Sequence, residues 1–482
     1  MILLRWEKLG NLLQGVCELL FNSYVFILLY LPIVLLVYYG LSRFRRVRAA
    51  TVWLVLASFF FYGYWDVRYV PLLFGSICWN YCFGQQIETT IRKRLLLTIA
   101  ISGNIALLAY FKYAGFFLET INAAFGFSYD IPHIILPLGI SFFTFTQTAY
   151  LLDVYRGETR RHGGTFLYYM LFVTIFPHLI TGPIINYRNM MPQFTRLRNF
   201  VVNYRNLSYG LTLFVIGLFK KVYIADWLAP WAASAFSCTD GLGVIDAWAA
   251  ALSYTYQLYF DFSGYSEMAI GLGLMLNYRF PVNFDSPYQA KSVIDFWRRW
   301  HMTLGAWVRD YLYIPLGGNR QGEYRKLFNL FLCMTIIGLW HGAGWTFVFW
   351  GALHGIFLVF NHLWRRTGMS LPKPLCWGLT FLCVVICWVF FRAETFADGW
   401  QIVSAMFGLS TPTSLWNMPD SRAKLLRVLF VLTAVLACAP NPQRFLEKHF
   451  RPSKVWALAV IALALMALTH LTRYSEFLYF QF

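Results

Sequence analysis

The chain has 482 residues, 40 basic and 22 acidic, for a formal net charge of +18. Hydrophobic residues make up 59% and charged residues 13%. That balance excludes intrinsic disorder and argues against a soluble globular enzyme, whose charged share is usually about 25%. At about 20 residues per span the length allows roughly ten or more membrane crossings and leaves little for a soluble domain.

The basic residues do not form the single patch that nucleic acid needs. They fall in short clusters between apolar runs: Arg43, Arg45, Arg46 and Arg48; Arg92, Lys93 and Arg94; Arg156, Arg160 and Arg161; Arg298 and Arg299. Cytoplasmic loops of a multi-pass protein look like this. The nine cysteines are odd in number and scattered, without zinc spacing. They read as small core residues, and no metal site is expected.

Residues 1–21 carry Leu4, Trp6, Leu9, Leu12, Leu13, Val16 and Leu20 at roughly helical spacing. Glu7 and Glu18 interrupt the run, so a signal peptide is excluded and a short amphipathic surface helix is expected. Asn22 and Ser23 can cap a first span near 24–41. Apolar runs then recur near 51–64, 68–84, 95–118, 132–152, 165–185, 207–225, 244–260, 264–276, 326–341, 345–363, 376–392, 398–408, 425–440 and 454–471. Several are too short for an ordinary crossing, which predicts re-entrant or buried helices around a polar cavity. No internal repeat or linker is visible, so residues 22–482 read as one membrane domain.

Four stretches interrupt the apolar pattern. In 136–157, Ser141, Thr144, Thr146, Gln147 and Thr148 can join helices or line a passage, and joining is preferred. Asp153 and Arg156 are three apart and can pair. In 176–187, Pro177, His178, Gly182 and Pro183 break a normal span and predict a re-entrant loop, with His178 free to bond local backbone. The densest polar stretch is 277–326. A helix starting at Ser286–Pro287 or Ser292 would pair Asp295 with Arg299, place Trp297 and His301 on one face, and end at Pro315 or Gly317–Gly318. It lies either on anionic lipid at the surface or in a polar cavity. In 338–355, His341 follows about 14 apolar residues. It is either a hydrogen-bonded structural residue or a group on a water path. On one unbroken helix His354 would sit roughly 140° away from it.

The ordered set SFFTFTQTAYLLDVYRGE, FPHLITGPI, DFSGYSEMAIGLGLMLNYRFPVNFDSPY, DFWRRWHMTLGAWVRDYLYIPLGGNR and GLWHGAGWTFVFWGALHG resembles the membrane-bound O-acyltransferases. Within them it is similar to the bacterial alginate O-acetylation branch, over about Asn22 to Phe482 with the motif-bearing core at about 136–362. The closing FLYFQF resembles that branch's ending. The resemblance implies an all-α polytopic membrane protein, a ring of transmembrane and re-entrant helices around a thinned centre with funnels on both faces. It implies His341 and His301 as the catalytic pair. Many lipid-acylating relatives carry Asn or Asp at the first position. Asn277 stands where a small glycine is expected, so the local backbone there can differ.

The resemblance further implies acetyl-CoA as a cytoplasmic donor, no bound cofactor, and passage of the acetyl group across the inner membrane. An SGNH-type partner would complete O-acetylation of a polysaccharide such as alginate, with peptidoglycan or cellulose as alternatives. D-alanyl transfer to teichoic acid belongs to a related branch further from these motifs. His341 is expected as base, kept neutral by burial. His301 is expected to orient substrate or donate to the oxyanion. Arg298, Arg299, Arg309 and Arg320, with Trp297 and Trp340, are candidates for binding the donor; Asp295, His354 and Asp153 are supporting candidates. An acyl-enzyme on His341 is a second scheme. A non-catalytic carrier or channel and an envelope scaffold are the other classes; a carrier would often show two related halves, and none is visible.

Overall fold

The structure is a computed structural model that describes residues 19–132, 134–159, 164–237, 239–411 and 419–471. The expected surface helix at 1–21 and the closing FLYFQF lie outside the described residues, apart from 19–21. Among the described residues the regular elements are all helical. Among the described residues six helices are long and apolar enough to cross a membrane: Val25–Arg43, Val47–Trp65, Lys93–Phe125, Tyr204–Phe236, Trp345–Trp364 and Lys373–Arg392. A bent pair, Arg422–Cys438 with Pro442–His449, would make a seventh. The all-α polytopic expectation is met.

The chain forms two compact units. The first takes the described residues up to Phe219, then Gly264–Pro281, then those from Phe450. The second takes Lys220–Ser263 and Val282–His449. The runs 244–260 and 264–276, expected as two pieces, form one helix, Val244–Met275. Between them lie only Asp261, Phe262 and Ser263, and Gly264 opens the second run; the helix cost of one glycine, about 1 kcal/mol, is too small to end a well-packed helix. That helix carries residues of both units.

In the first unit, Ser23 caps the opening span by accepting from the Phe26 amide (3.2 Å). The polar residues near 141–148 join helices. Gln147 donates to the Ser76 hydroxyl (2.8 Å) and accepts from Tyr169 (3.3 Å), and Asn104 reaches Thr148 (3.4 Å). Asp153 is buried and meets Arg188 (3.3 Å). The 176–187 stretch is a four-residue helix, Phe176–Leu179, followed by irregular backbone. The Pro183 carbonyl accepts from His178 Nδ1–H (2.8 Å), so Nε2 can accept from Thr146 (3.3 Å). Burial pushes this imidazole down to about 4, and it serves as a neutral structural link. Asn277 has φ +63, in the left-handed region that glycine adopts freely. Its amide holds that turn to the Asn199 (2.9 Å) and Val201 (2.8 Å) carbonyls.

In the second unit the helices Glu323–His341 and Trp345–Trp364 form a tight hairpin. Their backbones touch at Gly338 and Gly351: a Cβ on Gly338 would lie 2.3 Å from the Phe347 carbonyl, and one on Gly351 2.4 Å from that of Met334. Gly338→Val must therefore push the helices apart. We expect it to cost about 1–3 kcal/mol or more, read as a lower melting temperature in detergent. An unchanged melting temperature would mean that the helices do not meet there.

Candidate active site

Residues 292–341 of the second unit place the two catalytic candidates. Ser292 caps the helix Val293–Trp297 by accepting from the Asp295 amide. The Asp295–Arg299 pair expected from their spacing is present at 2.9 Å. The helix does not continue as expected, however. It ends at Trp297, and His301 has φ +44 and ψ +54 before a second short helix, Met302–Val308. Trp297 and His301 are thus not on one helical face. A non-glycine residue in this conformation is strained and needs its surroundings to hold it.

Asn283 supplies the hold. Its carbonyl oxygen faces His301 Nδ1 (3.0 Å), the Thr303 hydroxyl (2.9 Å) and the Thr303 amide (3.3 Å). The Asn283 backbone carbonyl also accepts from the Met302 amide (2.9 Å). The Thr303 groups are donors, which fixes the asparagine oxygen on this side, so His301 must carry its proton on Nδ1. The His301 Nε2 atom is buried, has no hydrogen-bond partner among the described residues, and keeps its lone pair. The ring rests edge-on against Phe262 (4.9 Å between centroids). Burial pushes its pKa down to about 3, so it is neutral across the physiological range. In this tautomer it can accept a proton or a hydrogen bond through Nε2.

His341 ends its helix. Gly342 and Gly344 follow in extended conformation, and a Cβ on Gly342 would lie 2.2 Å from the Phe347 ring. The His341 ring is buried in an aromatic cage of Trp340 (4.8 Å), Trp350 (5.1 Å) and Phe391 (5.4 Å). Such a cage excludes bulk water. Because the helix breaks at Gly342, the unbroken-helix geometry for His354 does not apply. His354 also packs on Trp350 (4.9 Å), so one tryptophan touches both rings. Trp297 donates its indole N–H to His354 Nδ1 (3.3 Å). The cluster reaches the neighbourhood of His301 through Trp388, which contacts both Trp350 (5.7 Å) and Trp300 (4.9 Å).

The arginine candidates separate. Arg298, Arg309 and Arg320 are exposed, and Arg309 is paired with Asp310 (2.7 Å). Arg299 is half-buried and lines a cavity of about 420 Å³ with Asp295, Lys291 and Lys373. Asp153 lies in the first unit with Arg188.

Two features escaped the sequence reading. Asn283 lies inside the quoted NYRFPVNFDSPY motif, but its own role shows only in its tertiary contacts. The other is a buried triad in which Lys221 meets Asp226 (2.8 Å) and Asp261 (2.5 Å), with all three side chains no more than 3% exposed. A lysine inside the apolar run 207–225 was the available signal, since charges in such runs are costly and paired.

Among the described residues the chain is helical and multi-pass, and it buries two histidines against aromatic rings. The membrane-bound O-acyltransferase family model matches residues 158–391, which include both histidines. The chain is 45% identical to a peptidoglycan O-acetyltransferase from Helicobacter pylori, covering 81% of this chain and 80% of that protein. It is 40% identical to a probable alginate O-acetylase from Pseudomonas putida, over 96% of this chain and all of that one. It is 29% identical to a teichoic acid D-alanyltransferase from Streptococcus thermophilus, over 49% of this chain and 59% of that one. The chain belongs to the membrane-bound O-acyltransferase family and is a multi-pass membrane acyltransferase.

Proposed function

We propose that the protein takes an acetyl group from acetyl-CoA at the cytoplasmic face of a bacterial inner membrane and passes it outward for O-acetylation of a polysaccharide. The acceptor is a glycan of the alginate or peptidoglycan kind, the two named among the relatives, and an SGNH-type partner completes the transfer. The observation that carries this reading is the pair of buried histidines inside the stretch that the family model matches.

The chemistry is thioester exchange. The attacking hydroxyl oxygen bonds to the acetyl carbonyl carbon, the carbon–sulfur bond breaks, and the hydroxyl proton passes by way of a base to the departing thiolate. His341 is the base, and the support for it is its water-excluding cage at a helix break. His301 accepts a hydrogen bond from the hydroxyl at Nε2 and orients it. Donation from His301 to an oxyanion would need the other tautomer, which Asn283 disfavours. The same tautomer favours a second reading, in which His301 itself receives the proton.

Thiol release from acetyl-CoA by purified protein in nanodiscs tests the reaction. We expect release by the wild type, stimulation by an SGNH-type partner, and loss in His341→Ala. No release from folded wild-type protein with partner present would remove acetyl-CoA as donor.

A further inference from the structure

Two adjoining cavities open in the second unit, of about 420 and 320 Å³, with Gln289 and Arg299 lining both. Lys291 and Lys373 line the first; Arg444, Lys448 and His449 line the second. Three segments build the walls and are tied to one another. Trp377 donates to the Tyr288 carbonyl (2.8 Å), Gln289 to the Ala439 carbonyl (2.6 Å), and Asn441 to the Phe284 carbonyl (2.7 Å). Two acids sit in the groove, and both are engaged: Asp295 with Arg299 (2.9 Å) and Asp285 with Arg444 (2.5 Å). Lys291, Lys373 and Lys448 remain without a side-chain ion pair among the described residues, so the groove has a surplus of positive charge. Such a lining suits phosphate.

We propose that this groove binds the phosphate-bearing end of the acyl donor; the inference rests on the thioester reading above. Lys373 begins the helix Lys373–Arg392 just after Arg365 and Arg366 close the preceding one. By the positive-inside rule that end is cytoplasmic. His341 packs on Trp350, 14 residues before the Trp364 end of its helix, a rise of about 21 Å. A donor with phosphates at one end of a long arm and a thioester at the other suits a basic end and a histidine at different levels of that helix. The short helix Val293–Trp297 lies between the groove and the aromatic cluster. Its Asp295 lines the groove, and its Trp297 bonds His354 beside Trp350. Of the four arginines expected to hold the donor, only Arg299 lines this groove.

The test uses the full chain in zwitterionic nanodiscs, with adenosine 3′,5′-bisphosphate as the probe in a binding measurement. The wild type binds it, and the combined Lys291→Gln, Lys373→Gln, Lys448→Gln variant binds about tenfold or more weakly, with a retained melting temperature as the check on folding. In turnover, the variant's KM for acetyl-CoA rises by more than its kcat falls. Equal binding by both proteins, or none by the wild type, overturns the proposal. Binding that vanishes in phosphatidylglycerol-rich nanodiscs overturns it too and assigns the groove to lipid headgroups. Lysine-dependent binding without acetyl-CoA turnover keeps the phosphate site and removes acetyl-CoA as donor, so the two failures are separable.

Discussion

His341→Ala is expected to lower acetyl transfer by about 10²–10⁴-fold, the usual range for losing a positioned acid–base group. The cost should fall on kcat, because His341 meets Trp340, Trp350 and Phe391 through ring contacts that mainly position it, and the helix already ends there. His301→Asn is the informative companion. Asparagine tolerates the left-handed backbone at position 301 better than most residues, so this change tests chemistry with little added strain. It can accept a hydrogen bond but cannot act as a base near neutral pH. If His301 orients the hydroxyl, His301→Asn loses about tenfold, the scale of one hydrogen bond. If it loses as much as His341→Ala does, the base is His301 and the first reading fails. The pH dependence adds a check. With burial holding His301 near a pKa of about 3, that group is already neutral at pH 5. A rate that falls on acidification from pH 8 to 5 must then report a different group. Persistence of that fall in His301→Asn is the expected result.

The physical reasons why some of this was legible in the sequence, and some not, are specific. Periodicity and hydropathy found the spans because burial of a 20-residue apolar stretch is a local property. Ser23, Ser292 and the Asp295–Arg299 pair were readable for the same reason, since capping and i,i+4 contacts need only near neighbours. The break between Trp297 and Met302 was not readable. Nothing in DFWRRWHMTLG forbids a continuous helix, and the break is stabilised from outside by Asn283, 18 residues earlier. The same holds for His341 and His354, whose common contact with Trp350 depends on the hairpin made by Gly338 and Gly351. The two histidines were singled out by family resemblance; residue chemistry alone left His341 open between a structural and a functional role. The groove lysines went unread because they come from three distant segments, each ordinary alone.

Lys221→Met is expected to be the most damaging single change to the fold. It leaves the Asp226 and Asp261 carboxylates buried without the cation that both now face at 2.8 and 2.5 Å. Breaking a buried pair by removing one partner costs about 3–5 kcal/mol, against a total stability of about 5–15 kcal/mol for a typical protein. Most of the chain should fail to accumulate, which fluorescence-detected size exclusion of the expressed protein would read directly. Adding Asp226→Asn and Asp261→Asn to Lys221→Met removes the orphaned charges and should restore much of the folded protein, because neutral replacement of a buried ionic cluster is often tolerated. Wild-type levels of Lys221→Met alone would mean that the triad is not buried as described. The activity of the restored triple variant then decides what the triad does. Asp261 precedes Phe262, whose ring supports His301. Folded and active, the variant makes the triad a structural clamp on the start of that contact. Folded and inactive, it makes the charge itself part of the environment that the two candidate histidines require, because the packing would be intact and only the field would have changed.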